Sequence, residues 1–172
     1  MLCIQNGLSE EIGKQEEWKQ DSYLFSLLIF LSPFLLHSFS PQIMTIFTKI
    51  VNGEIPCHKI AEDERFLAFL DITPLADGHT LVIPKKEVDY IFDLEDDLLS
   101  GLILFAKKIA PAISQACPCR RVGVSVIGLE VPHAHVHLIP LNSMNDINFT
   151  REKLKPSQEE LKATADRIKS FL

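Results

Sequence analysis

Several common signatures are missing from this 172-residue chain, and each absence narrows its function. It has no Gly-x-Gly-x-x-Gly run and no Walker-type phosphate loop, so neither nucleotide-binding motif applies. The four cysteines, Cys3, Cys57, Cys117 and Cys119, form no Cys-x-x-Cys pair and no disulfide framework. Reduced thiols and a cytoplasmic setting are the simplest expectation. Basic residues are outnumbered 17 to 23, for a net charge of −6, which argues against nucleic acid as a partner. There is no internal repeat or low-complexity segment. The longest apolar run, Tyr23 to Phe39, is broken by Ser26, Ser32, Pro33 and His37 and falls short of the ~20 residues of a membrane helix. Its acidic flank and the lack of a small-residue cleavage site also set it apart from a secretory signal.

What remains divides in two. Residues 1–43, which hold the only tryptophan, Trp18, differ in character from the rest. Three readings stand side by side for them: an upstream extension without its own fold, a membrane anchor through residues 23–39, or a docked helix. From Met44 the pattern is orderly. Ile46, Phe47, Ile50 and Val51 mark a short helix ended by Asn52-Gly53. Strands are predicted over Pro56–Ala61, Phe66–Leu70, His79–Pro84 and Arg121–Ile127. A helical stretch is expected over Val88–Phe92. Asp93 should cap a long helix whose inner stripe is Leu98, Leu102, Phe105, Ile109, Ile113 and Ala116, kinked by Pro111. Cys117-Pro118-Cys119 reads as the connection out of it. Residues 142–156 read as a long loop beside the histidines. Ser157-x-x-Glu160 is a capping box for a last helix with Leu161, Ala165, Ile168 and Leu172 inward. Roughly five hairpin-joined strands with helices before, between and after them give an α+β domain with a mainly antiparallel sheet over residues 44–172.

The richest stretch is His133-Ala134-His135-Val136-His137-Leu138-Ile139-Pro140. Its period-two alternation predicts a strand with three imidazoles on one face. Three adjacent buried rings are costly unless each finds a partner, so chemistry is the better explanation than packing. Imidazoles in such a row can hold a transition metal, or one can act as a nucleophile while its neighbours orient it.

These residues resemble the histidine triad signature of the HIT superfamily. The likeness extends through Phe47-x-Lys49-Ile50-x-x-Gly53-x-Ile55-Pro56, Leu67-Ala68-Phe69-x-Asp71-Ile72-x-Pro74 and Gly78-His79-Thr80-Leu81-Val82-Ile83-Pro84-Lys85. It is strongest for the small nucleotide hydrolases and transferases of the Hint type. It covers about residues 44–140 and none of 1–43.

The resemblance implies a homodimer with one continuous sheet and a purine nucleotide against the triad strand. It implies His135 as the nucleophile toward the α-phosphate, flanked by His133 and His137, with His79 and His137 forming a polarising relay. Asp71 would accept from the ribose hydroxyls, Ile72 would lie against the base, and amides around Gly128 would hold phosphate oxygens. No cofactor is required, although Mg²⁺ accompanies polyphosphate substrates.

Two departures stand out. Leu129 and Glu130 replace an amide and a small hydroxyl residue. Glu130 would repel phosphate if it faced inward; otherwise it turns outward or protonates the leaving group. Where some bacterial relatives bind zinc through Cys-x-x-Cys, this chain has Thr45 and Thr48, so no structural zinc is expected. Two rival readings are a metal site on the histidine row and a nucleotide-binding protein without turnover.

Overall fold

The computed structural model describes residues 44–172; the expectations for residues 1–43, including the apolar run 23–39, lie outside the described residues. The elements in order are α1 (Ile46–Val51), β1 (Lys59–Glu62), β2 (Phe66–Leu70), β3 (Thr80–Pro84), a 3-10 turn (Ile91–Asp93), α2 (Asp96–Ala116), β4 (Arg121–Ser125), β5 (Val136–Leu141), a second 3-10 turn (Met144–Ile147) and α3 (Gln158–Lys169). The strands form one antiparallel sheet in the order β1-β2-β3-β5-β4, so the α+β expectation holds. No helix among the described residues is long and apolar enough to cross a membrane.

The central strands are buried on both faces, and their alternating side chains feed two cores. Phe66, Ala68 and Leu70 of β2, Val82 of β3, and Val136 and Leu138 of β5 pack with Leu102, Phe105, Ile109 and Ile113 of α2 and with Leu161 and Ile168 of α3. Leu67, Phe69, Leu81 and Ile83 face the other way and pack with Phe47 of α1. His137 lies opposite Leu81 in the β3–β5 ladder, which puts it on this second, more thinly covered face.

Local chemistry accounts for the element ends. The Thr45 hydroxyl accepts the Thr48 N–H at 3.1 Å and so caps α1, while Gly53 takes φ +77° just after it. Ser157 and Glu160 form the expected reciprocal capping box. Helix α2 runs through Pro111 to Ala116.

Several expectations need correcting. The N-cap of α2 is Glu95, not Asp93, because Ile91–Asp93 closes a 3-10 turn and Leu94 and Glu95 are extended. That turn also replaces the predicted helix over Val88–Phe92. Strand β1 begins at Lys59, not Pro56, and β4 ends at Ser125. Leu172 is exposed rather than inward, since α3 ends at Lys169.

The Asp77-Gly78 turn controls the approach to His79. Gly78 has φ +85°, and a Cβ there would lie 2.5 Å from Cys117 Sγ and 3.2 Å from Cys117 Cβ. Gly78→Ala is therefore expected to destabilise the domain by about 2–4 kcal/mol, from left-handed strain plus overpacking. Urea unfolding checks this; a loss below about 0.5 kcal/mol, the level of a neutral surface change, would mean that the turn relaxes freely.

Candidate active site

The three histidines occupy two kinds of backbone. Only His137 lies in β5; His133 and His135 precede it. Backbone pairing explains the correction: the Ala134 N–H donates to the Val88 carbonyl at 2.7 Å and the His133 N–H to Val131 at 2.8 Å, so this segment bonds outside the β3–β5 ladder. Ala134, Val136 and Leu138 nevertheless enter the main core, as the alternation requires. All three histidines are buried, and Phe47 packs edge-on against His133 and His135 at 5.8 and 5.3 Å between ring centres.

The protein partners assign the ring protons. A carbonyl can only accept, so the 2.6 Å contact between His135 Nδ1 and the His133 carbonyl puts the proton on Nδ1. Nε2 of His135 then carries the lone pair, and no group among the described residues bonds it. His79 Nδ1 accepts the Leu75 N–H at 3.2 Å, so neutral His79 carries its proton on Nε2. That proton is donated to His137 Nδ1 at 3.0 Å, which leaves the His137 proton on Nε2. Burial, the largest influence on both rings, holds His79 down at about 4 and His137 at about 3, so the relay is neutral near pH 7. The carboxylate of Asp71, 3.6 Å from His79 Nδ1, pulls His79 the other way without prevailing.

His133 is placed differently. Its ring is fully buried, with Nε2 donating to the Pro84 carbonyl at 2.8 Å and Nδ1 accepting from Thr45 Oγ1 at 3.1 Å. Both ring nitrogens of His133 are thus taken up by protein partners, unlike those of His135. The row therefore does not converge on one ion. The donor atoms that do cluster, within 4.8 Å of one another, belong to Asp71, His79 and His137, and His79 is already bonded through both nitrogens.

A cavity of about 160 Å³ lies over this relay, lined by Asp71, His79, His135, His137, Gly128 and Glu130 together with Phe149 and Lys153. Asp71 Oδ1 accepts the Thr73 N–H at 2.9 Å, which holds the carboxylate in place at the cavity lining. Ile72 is 62% exposed and lies outside the cavity lining, so the structure does not bring it together with the others. Gly128 takes φ +71° at the rim. Glu130, 79% exposed, pairs with Lys153 at 3.3 Å within the cavity lining.

Sequence reasoning missed three participants. Phe149 packs edge-on against His137 at 5.0 Å and His79 at 6.4 Å. Lys153 is the cation in the cavity lining. Glu87 accepts the Thr45 N–H at 3.2 Å and the Thr48 hydroxyl. Phe149 is discoverable as the one aromatic in the loop expected beside the histidines; Lys153 and Glu87 carry no local signal.

Comparison with known proteins identifies the family. The HIT domain model matches residues 52–144. The adenosine 5'-monophosphoramidase hnt1 of Schizosaccharomyces pombe is 36% identical over 127 residues, covering 73% of this chain and 96% of the yeast protein. A Hit-like protein from Bartonella henselae, solved with an unknown ligand, superposes with a TM-score of 0.65 at 32% identity, over 74% of this chain and 96% of its own. The chain belongs to the HIT family. A zinc-bound histidine triad protein of Mycobacterium smegmatis is also similar, at 26% identity and a TM-score of 0.61, over 73% of this chain and 91% of its own.

In this HIT protein, a zinc ion does not suit the polar groups around His133. Thr45, Thr48, Glu87 and His133 offer two neutral hydroxyls, one carboxylate and one imidazole, whereas structural zinc takes thiolates and imidazoles. The four groups also satisfy one another by hydrogen bonds.

Proposed function

We propose that this HIT-family protein is a nucleotide hydrolase or nucleotidyl transferase that cleaves a P–N or P–O–P bond at the α-phosphate of a purine nucleotide. The observation that carries the reading is the tautomer of His135, whose Nδ1–H is held by a carbonyl while Nε2 keeps its lone pair beside the cavity. Nε2 attacks phosphorus, the P–N or P–O bond breaks with its electrons leaving on the departing group, and a nucleotidyl-His135 forms. Water then attacks the same phosphorus, and the P–N bond to His135 breaks to restore the ring. The His137 Nε2–H, fixed by the relay through His79, donates to the phosphoryl group as negative charge builds. Asp71 supplies free acceptor positions for a ribose diol. None of these steps calls on a metal; Mg²⁺ enters only with a polyphosphate substrate. The activity carried by the name of the yeast relative, a phosphoramidase, supports this class of reaction.

A second copy of the chain fits the same reading. The cavity of about 160 Å³ adjoins a second of about 730 Å³ that shares His135, Gly128 and Leu129 and is lined by Tyr90, Phe92 and Ile103, so the site opens onto an apolar face. Tyr90, Phe92, Ile103, Leu104 and Val124 are exposed, and β4 is an outer strand among the described residues. We propose a homodimer through this face, with Ile103→Glu shifting sedimentation to the monomer. Identical sedimentation of variant and parent would contradict that assignment.

The functional test is release of AMP from an adenosine phosphoramidate and from a dinucleoside tetraphosphate by the full chain. Turnover of either supports the enzyme and ranks its leaving groups. Tight AMP binding without release from either would replace it with a binding role, for which Leu129, 88% exposed, and Glu130 would be the reason.

A further inference from the structure

The hydrogen-bonded cluster of Thr45, Thr48, Glu87 and His133 is connected to His135. Glu87 accepts the Thr45 backbone N–H at 3.2 Å and the Thr48 hydroxyl. With the Thr48 proton committed to Glu87, the remaining donor for His133 Nδ1 is the Thr45 hydroxyl at 3.1 Å, which itself accepts the Thr48 N–H. His133 Nε2–H is committed to the Pro84 carbonyl at the end of β3. The backbone carbonyl of His133 then receives the His135 Nδ1–H at 2.6 Å. The neighbouring Ala134 N–H is anchored on Val88, one residue from Glu87. The start of α1, the end of β3 and the 87–88 loop thus meet at residue 133, one hydrogen bond from the attacking ring.

We propose that Thr45 and Glu87 are positioning residues for catalysis, holding His133 in one tautomer and orientation so that its carbonyl fixes His135 with Nε2 toward phosphorus. The inference rests on the proposed role of His135. A buried imidazole whose two nitrogens are both bonded has one allowed orientation, and because Glu87 takes the Thr48 hydroxyl proton, Thr48 cannot donate to His133 and Thr45 is left as the donor. Burial also keeps His133 neutral, pushed below its ordinary range, so its Nδ1 stays an acceptor for Thr45. The Thr48 hydroxyl holds the Glu87 carboxyl below the usual carboxylate range, so Glu87 stays an acceptor down to acidic pH.

The test compares Thr45→Val, which keeps shape but removes the hydroxyl, with Thr45→Ser, which restores it, and with Glu87→Ala. For AMP release from adenosine phosphoramidate, Thr45→Val is expected to lower kcat by about tenfold or more, with KM within about twofold, because misorientation affects the transition state more than binding. Thr45→Ser should recover most of kcat, and Glu87→Ala should fall between the two. A second readout is independent of turnover: imidazole nitrogen NMR of the full chain. The parent should show His133 protonated at Nε2 and His135 at Nδ1. Thr45→Val should mix the His133 tautomers and speed exchange of the His135 Nδ1 proton.

If the parent releases no AMP, the function reading fails and the NMR comparison alone decides the positioning of His133 and His135. Unchanged kcat and unchanged histidine spectra in a folded Thr45→Val would overturn the proposal. So would a Thr45→Ser variant as impaired as Thr45→Val at equal thermal stability.

Discussion

Replacing His135 by alanine is expected to lower AMP release by roughly four orders of magnitude while leaving AMP affinity within about threefold, because the nucleophile is removed and the rest of the cavity stays. Its Nε2 is the one nitrogen in the triad that combines a lone pair, access to the cavity and no protein partner among the described residues. His133 has neither nitrogen to spare, and Nδ1 of His137 is committed to His79. A drop of less than about tenfold would assign the chemistry elsewhere and leave the tautomer pattern without a catalytic purpose. Isothermal titration with AMP alongside the kinetics separates loss of chemistry from loss of the site.

The domain is also expected to lose stability as pH falls below the ordinary histidine range. His79 and His137 titrate at about 4 and about 3 in the folded protein, against 6.5 for a free ring, so the unfolded chain binds more protons over that interval. The stability is fully present above about pH 6.5 and declines toward pH 4. The decline is on the order of 2–3 kcal/mol per ring by the lower end. Urea midpoints across pH 4 to 8 follow this directly. The His79→Asn/His137→Asn double variant should make the slope over pH 6.5 to 4 shallower, leaving the part that buried His133, also pushed down, contributes. A slope equal to the parent's would show that other groups carry the acid sensitivity.

Local pattern reveals most of the scaffold. The run Phe66–Leu70 matches β2 residue for residue, and Ser157 with Glu160 marks the start of α3 because both signals are short-range chemistry. The alternation around the histidines identifies the sidedness of Ala134, Val136 and Leu138 correctly but overextends the strand, since Ala134 bonds to Val88, a partner far away in sequence. The same limit hides the function of Glu87 and Lys153. Each acts through a residue distant along the chain, Thr45 and Thr48 in one case and Glu130 in the other, and no local spacing encodes such pairs. Asp71 and His79 are visible as family-block residues, and the fold brings them within 3.6 Å. Ile72 shares the block but, as a neighbour of Asp71 on an exposed bend, lies outside the cavity lining. Thr45 and Thr48 stand out in the sequence only as absent thiolates; their positive role follows from the need of His133 for a donor at Nδ1.

The covalent nucleotidyl-His135 intermediate is the central claim, and the stereochemical course at phosphorus tests it most directly. A P-chiral adenosine phosphorothioate analogue of the phosphoramidate would be turned over in heavy-oxygen water and the configuration of the product read by phosphorus NMR. Attack by His135 Nε2 followed by attack of water inverts phosphorus twice, so net retention is expected. Net inversion would mean that water displaces the leaving group in one step, and His135 could not then be the nucleophile.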